Sequence, residues 1–199
     1  MSKLSGIRVV DLSLFLPGPM MTSMLADHGA EIIKIEPPGG DPARQMEPFE
    51  EGQSVWFRNI NRGKQSVVLD LKQKDNLQKL YRLVEESDIF VEAFRPGVAN
   101  RLEIDYETLS AINPRIIYCS ISAFGQDGPL AHHPAHDLAV EAFAGFMSVN
   151  DKGDGEPVVP AFPAADASAS LVALSGILMA LIGRERTGIG DFLDIAMYD

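Results

Sequence analysis

The chain is poor in the features that would set it apart from ordinary globular proteins, and each shortage excludes something. Of 199 residues only Cys119 is a cysteine, so no internal disulfide can form. With no Cys/His metal spacing either, the expected setting is a reducing cytoplasm without a metal site. Cys119 falls in the apolar run Arg115-Ile-Ile-Tyr-Cys-Ser-Ile121, the setting of a buried strand thiol. Basic residues are the minority charge: 17 Lys and Arg against 28 Asp and Glu give a net charge of −11. That balance argues against nucleic acid and anionic membrane surfaces as partners. Met1 to Ser5 has no charged segment leading into an apolar one, and no apolar run reaches ~18 residues, so neither a signal peptide nor a membrane span is expected. The fingerprints G-x-G-x-x-G and G-x-x-x-x-G-K-[ST] are missing, which removes most support for dinucleotide and P-loop readings. G-x-S-x-G is missing too, so no nucleophile elbow is indicated.

What remains has a regular order. With 46% hydrophobic and 23% charged residues the chain is globular, and its length suits one domain or slightly more. Ile7 to Leu12 reads as a strand, Pro17-Gly18-Pro19 as a turn, Met20 to His28 as a helix, and Ala30 to Glu36 as a second strand. A βαβ unit of this kind implies parallel pairing. Asp41 to Gly63 is polar and Pro/Gly-bearing, a long functional loop. Ser66 to Leu71, Lys72 to Glu86 and Asp88 to Glu92 form a second strand-helix-strand unit, with Leu77, Leu80, Tyr81 and Val84 at helical spacing. A short helix, Glu107 to Ile112, ends at Asn113-Pro114, and the strand Arg115 to Ile121 follows. Ala135 to Ser148 is helical, Asp151 to Pro157 a turn-rich loop, Ala164 to Arg184 a helix and Asp191 to Ala196 a last strand. This alternation predicts a three-layer α/β domain with a mainly parallel, buried sheet.

Ligands on such sheets bind beyond the carboxyl ends of the strands, at the loops beginning near Pro17, Pro37, Phe94 and Phe124. Arg44, Arg58, Arg62, Lys64, Lys72, Arg95 and Arg101 recur in those regions, either as solvated surface charges or as a set holding a polyphosphate. Asp166 lies among small residues in Pro163-Ala-Ala-Asp-Ala-Ser-Ala-Ser170. At a helix N-terminus the backbone N–H groups and dipole favour its ionised form. It is then either an accessible nucleophile or a cap of the helix beginning around Ala167. His136-Asp137 opens the preceding helix, where the imidazole either relays a proton, with Asp137 orienting or capping, or is an ordinary partly buried histidine. His132 and His133 carry no usable spacing.

Several segments together resemble the family III CoA-transferases, the group that includes formyl-CoA and crotonobetainyl-CoA transferases and α-methylacyl-CoA racemases. They are Leu16-Pro-Gly-Pro19, Leu25-Ala-Asp-His-Gly-Ala-Glu-Ile-Ile-Lys-Ile-Glu-Pro-Pro-Gly-Gly-Asp-Pro-Ala-Arg44, Asn61-Arg-Gly-Lys-Gln-Ser-Val-Val-Leu-Asp-Leu-Lys72, Glu92-Ala-Phe-Arg-Pro-Gly-Val-Ala-Asn-Arg-Leu102, Asn113-Pro-Arg-Ile-Ile-Tyr118 and Phe124-Gly-Gln-Asp-Gly-Pro129. The resemblance implies a Rossmann-like large domain, an interlaced homodimer, and CoA or acyl-CoA as substrate with no tightly bound cofactor. It places Phe15, Leu16, Pro17 and Gly18 in a loop around the pantetheine and thioester. Arg44, Leu69, Lys72, Phe94, Arg95 and Arg101 line the nucleotide and phosphate part. Asp166 matches the transferase nucleophile, which forms a mixed anhydride and then an aspartyl-CoA thioester before CoA passes to an acceptor carboxylate. His136 stands where the racemases carry a catalytic histidine, but the sequence after it, Leu138-Ala-Val-Glu-Ala-Phe-Ala-Gly-Phe-Met147, looks like a transferase. Transferase is thus the expected activity and racemase the alternative. Family members are about twice as long, so residues 1–199 are expected to be the N-terminal part of the large domain without the smaller second one, and a truncated chain without turnover is a third reading.

Overall fold

The computed structural model describes residues 2–150, 153 and 155–199. In chain order the elements are β1 (Arg8–Asp11), α1 (Pro17–Asp27), β2 (Glu31–Glu36), a hairpin of β3 (Phe49–Glu50) and β4 (Gln53–Ser54), α2 (Val55–Ile60), β5 (Gln65–Val68), α3 (Lys74–Glu85), β6 (Ile89–Glu92), α4 (Val98–Arg101), α5 (Tyr106–Ile112), β7 (Ile117–Ser122), α6 (Asp137–Phe143), α7 (Ala164–Thr187) and β8 (Asp191–Ala196). Short 3-10 turns occupy Pro42–Gln45 and Phe146–Asn150.

Six strands pair in parallel in the order β5-β2-β1-β6-β7-β8. Successive strand residues face opposite sides, so Val9, Ile89, Ile117 and Cys119 meet α1 and α7 through Met21, Leu25, Ala173 and Ile177. Val10, Phe90 and Tyr118 meet α3 and α5 through Leu77, Leu80, Val84 and Leu109. A sheet covered on both faces needs apolar residues at nearly every central strand position. That is why β1, β6 and β7 read as short continuous apolar runs. Each side chain buried this completely contributes about 1.5–3 kcal/mol. The chain builds leftward from β1 through β2 to β5, then returns beside β1 as β6 and continues right. This leaves a switch point between β1 and β6, where the loops after the two strands diverge and open a crevice.

Local chemistry moves several expected boundaries. Pro17 is the first residue of α1, where its missing N–H is no loss, so Pro17-Gly18-Pro19 opens the helix instead of forming a turn. Gly18 packs on Ser13 so closely that a Cβ would lie 2.2 Å from its side chain. The expected Asp41–Gly63 loop is instead a 3-10 turn, a hairpin and α2, with Asp41 and Ser54 capping the turn and the helix. The Asp151–Pro157 loop falls partly on residues 151, 152 and 154, outside the described residues. One helix bears on the expectation that no apolar run reaches membrane length. Helix α7 is long and apolar enough by length and composition to cross a membrane, because intervening polar residues such as Asp166, Ser168 and Ser170 are few and small. Its buried stripe, Ala169, Ala173, Ile177 and Ala180, packs in the core.

Candidate active site

Two cavities open at the carboxyl ends of the strands. The first, of about 410 Å³, is walled by Leu12, Leu14, Ile35, Pro37, Leu69, Lys72, Phe94 and Leu102. The second, of about 470 Å³, is walled by Phe15, Pro17, Phe94, Arg95, Ser122, His136 and Asp166. Leu14 and Phe94 line both, so the two adjoin, as two lobes on either side of the β1/β6 switch point. The predicted residues Phe15, Pro17, Leu69, Lys72, Phe94, Arg95, His136 and Asp166 thus converge there. Leu16, Gly18, Arg44 and Arg101 line neither lobe. Leu16 is buried as the residue before α1, and Pro17 and Gly18 are helical, which corrects the expected four-residue loop.

A buried ionic network holds the loop after β1. Asp11, at the end of that strand, accepts the Ser13 N–H at 2.9 Å, the Thr22 hydroxyl at 2.6 Å and Lys64 Nζ at 3.0 Å. Lys34 Nζ donates to the Ser13 carbonyl at 2.7 Å and pairs with Asp41 at 3.0 Å. All four charged side chains are at most 2% exposed. Burial alone would raise the Asp11 pKa, but Lys64, Lys34, Ser13 and Thr22 overcome it and hold the carboxyl well below its usual range. Lys64 is itself lowered by burial, in spite of Asp11. The loop so held carries Phe15 at φ 60°, a strained conformation for a bulky residue. Its ring stands edge-on to His136, with centroids 6.0 Å apart.

The opposite wall carries the candidate nucleophile. Asp166 is the third residue of α7, whose preceding Pro163 supplies no capping side chain. The caps come from α6 instead. Glu141 Oε1 accepts the Ala164 N–H at 2.8 Å, and Asp137 Oδ1 accepts the Asp166 N–H at 2.9 Å. Asp137 and Glu141 lie four residues apart, on one face of α6. Asp166 is therefore not the cap of its own helix, and it sits beside two other carboxylates. Burial, then Asp137, then Glu141 push its pKa up to about 7, against the expected preference of the helix N-terminus for its ionised form. A helix dipole contributes about 0.3–1 kcal/mol at an exposed site and loses here to desolvation and like charge. Sequence reasoning missed Glu141, and the i, i+4 acidic pair on α6 is the signal that could have found it. His136, the residue before α6, faces the same lobe.

The basic set divides. Lys64 belongs to the buried network and is structural, whereas Arg58 pairs with Glu50 at 2.5 Å and Arg62 with Asp27 in exposed ion pairs that line neither lobe. Arg44 makes a two-nitrogen contact to Glu36 at 2.8 and 2.6 Å and lies 3.9 Å over the Phe57 ring. Lys72 in the first lobe, Arg95 in the second and Arg101 at the end of α4 form no ion pair among the described residues. Among the described residues no cluster of three or more His, Cys, Asp or Glu is placed to hold a metal.

A parallel α/β scaffold whose switch point sets an apolar lobe beside a carboxylate-bearing one defines a class of small-molecule-binding folds. The family that fits this chain is more specific. Residues 4–199 match the profile described as CoA-transferase family III, and the chain belongs to that family. It is 45% identical to an acetyl-CoA:oxalate CoA-transferase of Acetobacter aceti over 98% of this chain and 50% of the relative. It is 40% identical to a succinate–glutarate CoA-transferase of Agrobacterium fabrum over 98% of this chain and 51% of the relative. A crystal structure of a CAIB/BAIF family protein from Brucella suis superposes with a TM-score of 0.95 at 37% identity, covering 100% of this chain and 54% of that one. The chain spans about half the length of these relatives.

Proposed function

We propose that this chain carries the CoA-binding half of an acyl-CoA:carboxylate CoA-transferase, with Asp166 as nucleophile. The observation that carries the reading is Asp166, in a lobe that adjoins a second, mostly apolar lobe lined in part by Lys72. The adenine and pantetheine of CoA suit the apolar lobe, and Lys72, Arg95 and Arg101 are cations left available for its phosphates. Arg44, engaged with Glu36, braces the rim.

In this reading an Asp166 oxygen attacks the thioester carbonyl, and the C–S bond breaks to give a mixed anhydride and CoA thiolate. The thiolate attacks the Asp166 carbonyl carbon, releasing the donor carboxylate and leaving an aspartyl-CoA thioester. An acceptor carboxylate attacks that thioester and displaces the thiolate, forming a second anhydride. Thiolate attack on the acceptor carbonyl then yields the new acyl-CoA and frees Asp166. His136, across the lobe, orients the acyl group or its carbonyl. Incubation with acetyl-CoA or succinyl-CoA followed by borohydride should reduce Asp166 to homoserine, and hydroxylamine should trap a hydroxamate there. An unmodified Asp166 contradicts the reading.

One observation favours a second reading. His136 and Asp166 share the same lobe and could flank an α-carbon as the acid/base pair of an α-methylacyl-CoA racemase. Exchange of the α-hydrogen of a 2-methylacyl-CoA with deuterated solvent, without adduct at Asp166, would establish racemisation in place of transfer. A third reading is a chain without turnover. Leu171, Val172, Met179 and Ile182 of α7 are more than half exposed, a patch that calls for cover. An interlaced homodimer is the proposed cover, and a compact, active dimer by size-exclusion chromatography with light scattering would rule the third reading out. The proposed location is the cytoplasm.

A further inference from the structure

A buried carboxyl group at the end of β6 has no part in the transfer chemistry. Glu92 is 2% exposed, and its register partner on β7 is Ser120, itself opposite Asp194 on β8. Glu92 Oε2 accepts the Phe94 N–H at 2.6 Å. That bond shapes the turn leaving the sheet, immediately before Phe94 and Arg95, which both line the lobe that contains Asp166. Ser120 lies beside Glu92 in register, and its Oγ accepts Gln126 Nε2 at 2.8 Å. The Gln126 N–H in turn donates to Asp194 Oδ2 at 2.9 Å. The turn after β6 is thus held by Glu92, and the turn after β7 by its register neighbours Ser120 and Asp194.

We propose that Glu92 is a positioning residue that fixes the Phe94-Arg95 turn for CoA, an assignment that rests on the CoA-transferase reading. The titratable groups facing it are Tyr118 and Cys119 from β7 and Asp194 from β8, none of them a cation. Burial and Asp194 push Glu92 up to about 7, against the opposing pull of Ser120 and the Phe94 N–H. As a neutral acid Glu92 still accepts the Phe94 N–H. Once ionised it accepts the Phe94 N–H more strongly but stands as an unpaired charge in the sheet beside Asp194; opening the turn to water relieves that charge, so the turn opens more readily. The grip on CoA is therefore tightest below neutral pH and loosens above it.

The test titrates free CoA into the full chain, as wild type, Glu92→Gln and Glu92→Ala, between about pH 6 and about pH 8. Glu92→Ala should weaken binding about tenfold at the lower pH, the effect of losing one hydrogen bond at a buried site. Glu92→Gln keeps the shape and an acceptor oxygen but cannot ionise. It should match wild type at the lower pH and hold its affinity at the higher, where wild type weakens several-fold. Ionisation of CoA itself cancels between these two proteins. Wild-type affinity in Glu92→Ala, or the wild-type pH response in Glu92→Gln, overturns the proposal. Should Glu92→Ala fail to fold, Glu92→Gln decides alone. Hydrogen exchange at the Phe94 amide, read without ligand and corrected for intrinsic rate, separates the two levels of inference. If wild type binds no CoA while Phe94 loses protection above neutral pH only when Glu92 can ionise, the CoA reading falls and the turn-holding role stands. Phe94 exchange that is indifferent to Glu92 overturns that role.

Discussion

A fully buried charge cluster beneath the loop after β1 and a half-buried one at the crossing of α6 and α7 are built on opposite principles. Beneath the loop after β1, two aspartates meet two lysines, every charge has a counter-charge, and the Asp11 carboxyl is held well below its usual range. At the crossing of α6 and α7, three carboxylates gather with no cation among the groups that shift Asp166, whose pKa rises to about 7. The first arrangement spends its charges on fixing a strained loop. The second keeps one carboxyl near the point where it can give up its proton and react. Compensation marks the scaffold beneath the loop after β1 and its lack marks the candidate nucleophile, whereas Glu92, likewise without a cation, holds a turn.

Substitutions should separate the two clusters, and the largest effect falls on the scaffold. Lys64→Met leaves Asp11 buried beside only the more distant Lys34 and should destabilise the fold by about 3–5 kcal/mol, measured by denaturant unfolding. Asp166→Asn should do the reverse. The folded Asp166 holds its proton up to about pH 7, whereas the unfolded chain releases it near pH 4, so wild-type stability falls as pH rises through that window and is level above it. Asn removes this loss, and the variant should be more stable than wild type by ~2–3 kcal/mol at about pH 8, less whatever solvent screens, and equal to it near pH 4. Glu141→Gln can still accept the Ala164 N–H but removes one like charge. It should move the acid limb of activity down by up to about one pH unit with little change in melting temperature. The smallest effect belongs to Phe15→Gly, which relieves the positive φ by ~1 kcal/mol and removes the edge contact to His136, a near-neutral change in stability with a measurable rise in KM for acyl-CoA.

The same division explains what could be read from the residues. β1, β2, β6, β7 and α3 are legible because apolar runs and helical spacing are local signals. The crevice is legible from strand ends, and Asp166 and His136 from their small-residue surroundings and the family motifs. The hairpin and α2 inside Asp41–Gly63 are too short for periodicity to register. Lys64 looks like a phosphate ligand until folding brings it to Asp11, 53 residues away in sequence. The protonation of Asp166 depends first on its burial and then on Asp137 and Glu141, which reach it because α6 caps α7 from outside. Local patterns report the backbone. Pairings between distant charges, which decide what each ionisable group does, have no local signature.

The most direct measurement is the rate at which Asp166 is converted to its borohydride-trapped adduct by acyl-CoA, followed from about pH 5 to about pH 9 in wild type and Glu141→Gln. An uncompensated nucleophile predicts a rate that rises through a single ionisation near pH 7 in wild type and at lower pH in the variant. A rate that is flat across this range, or an adduct that forms elsewhere than Asp166, would contradict it.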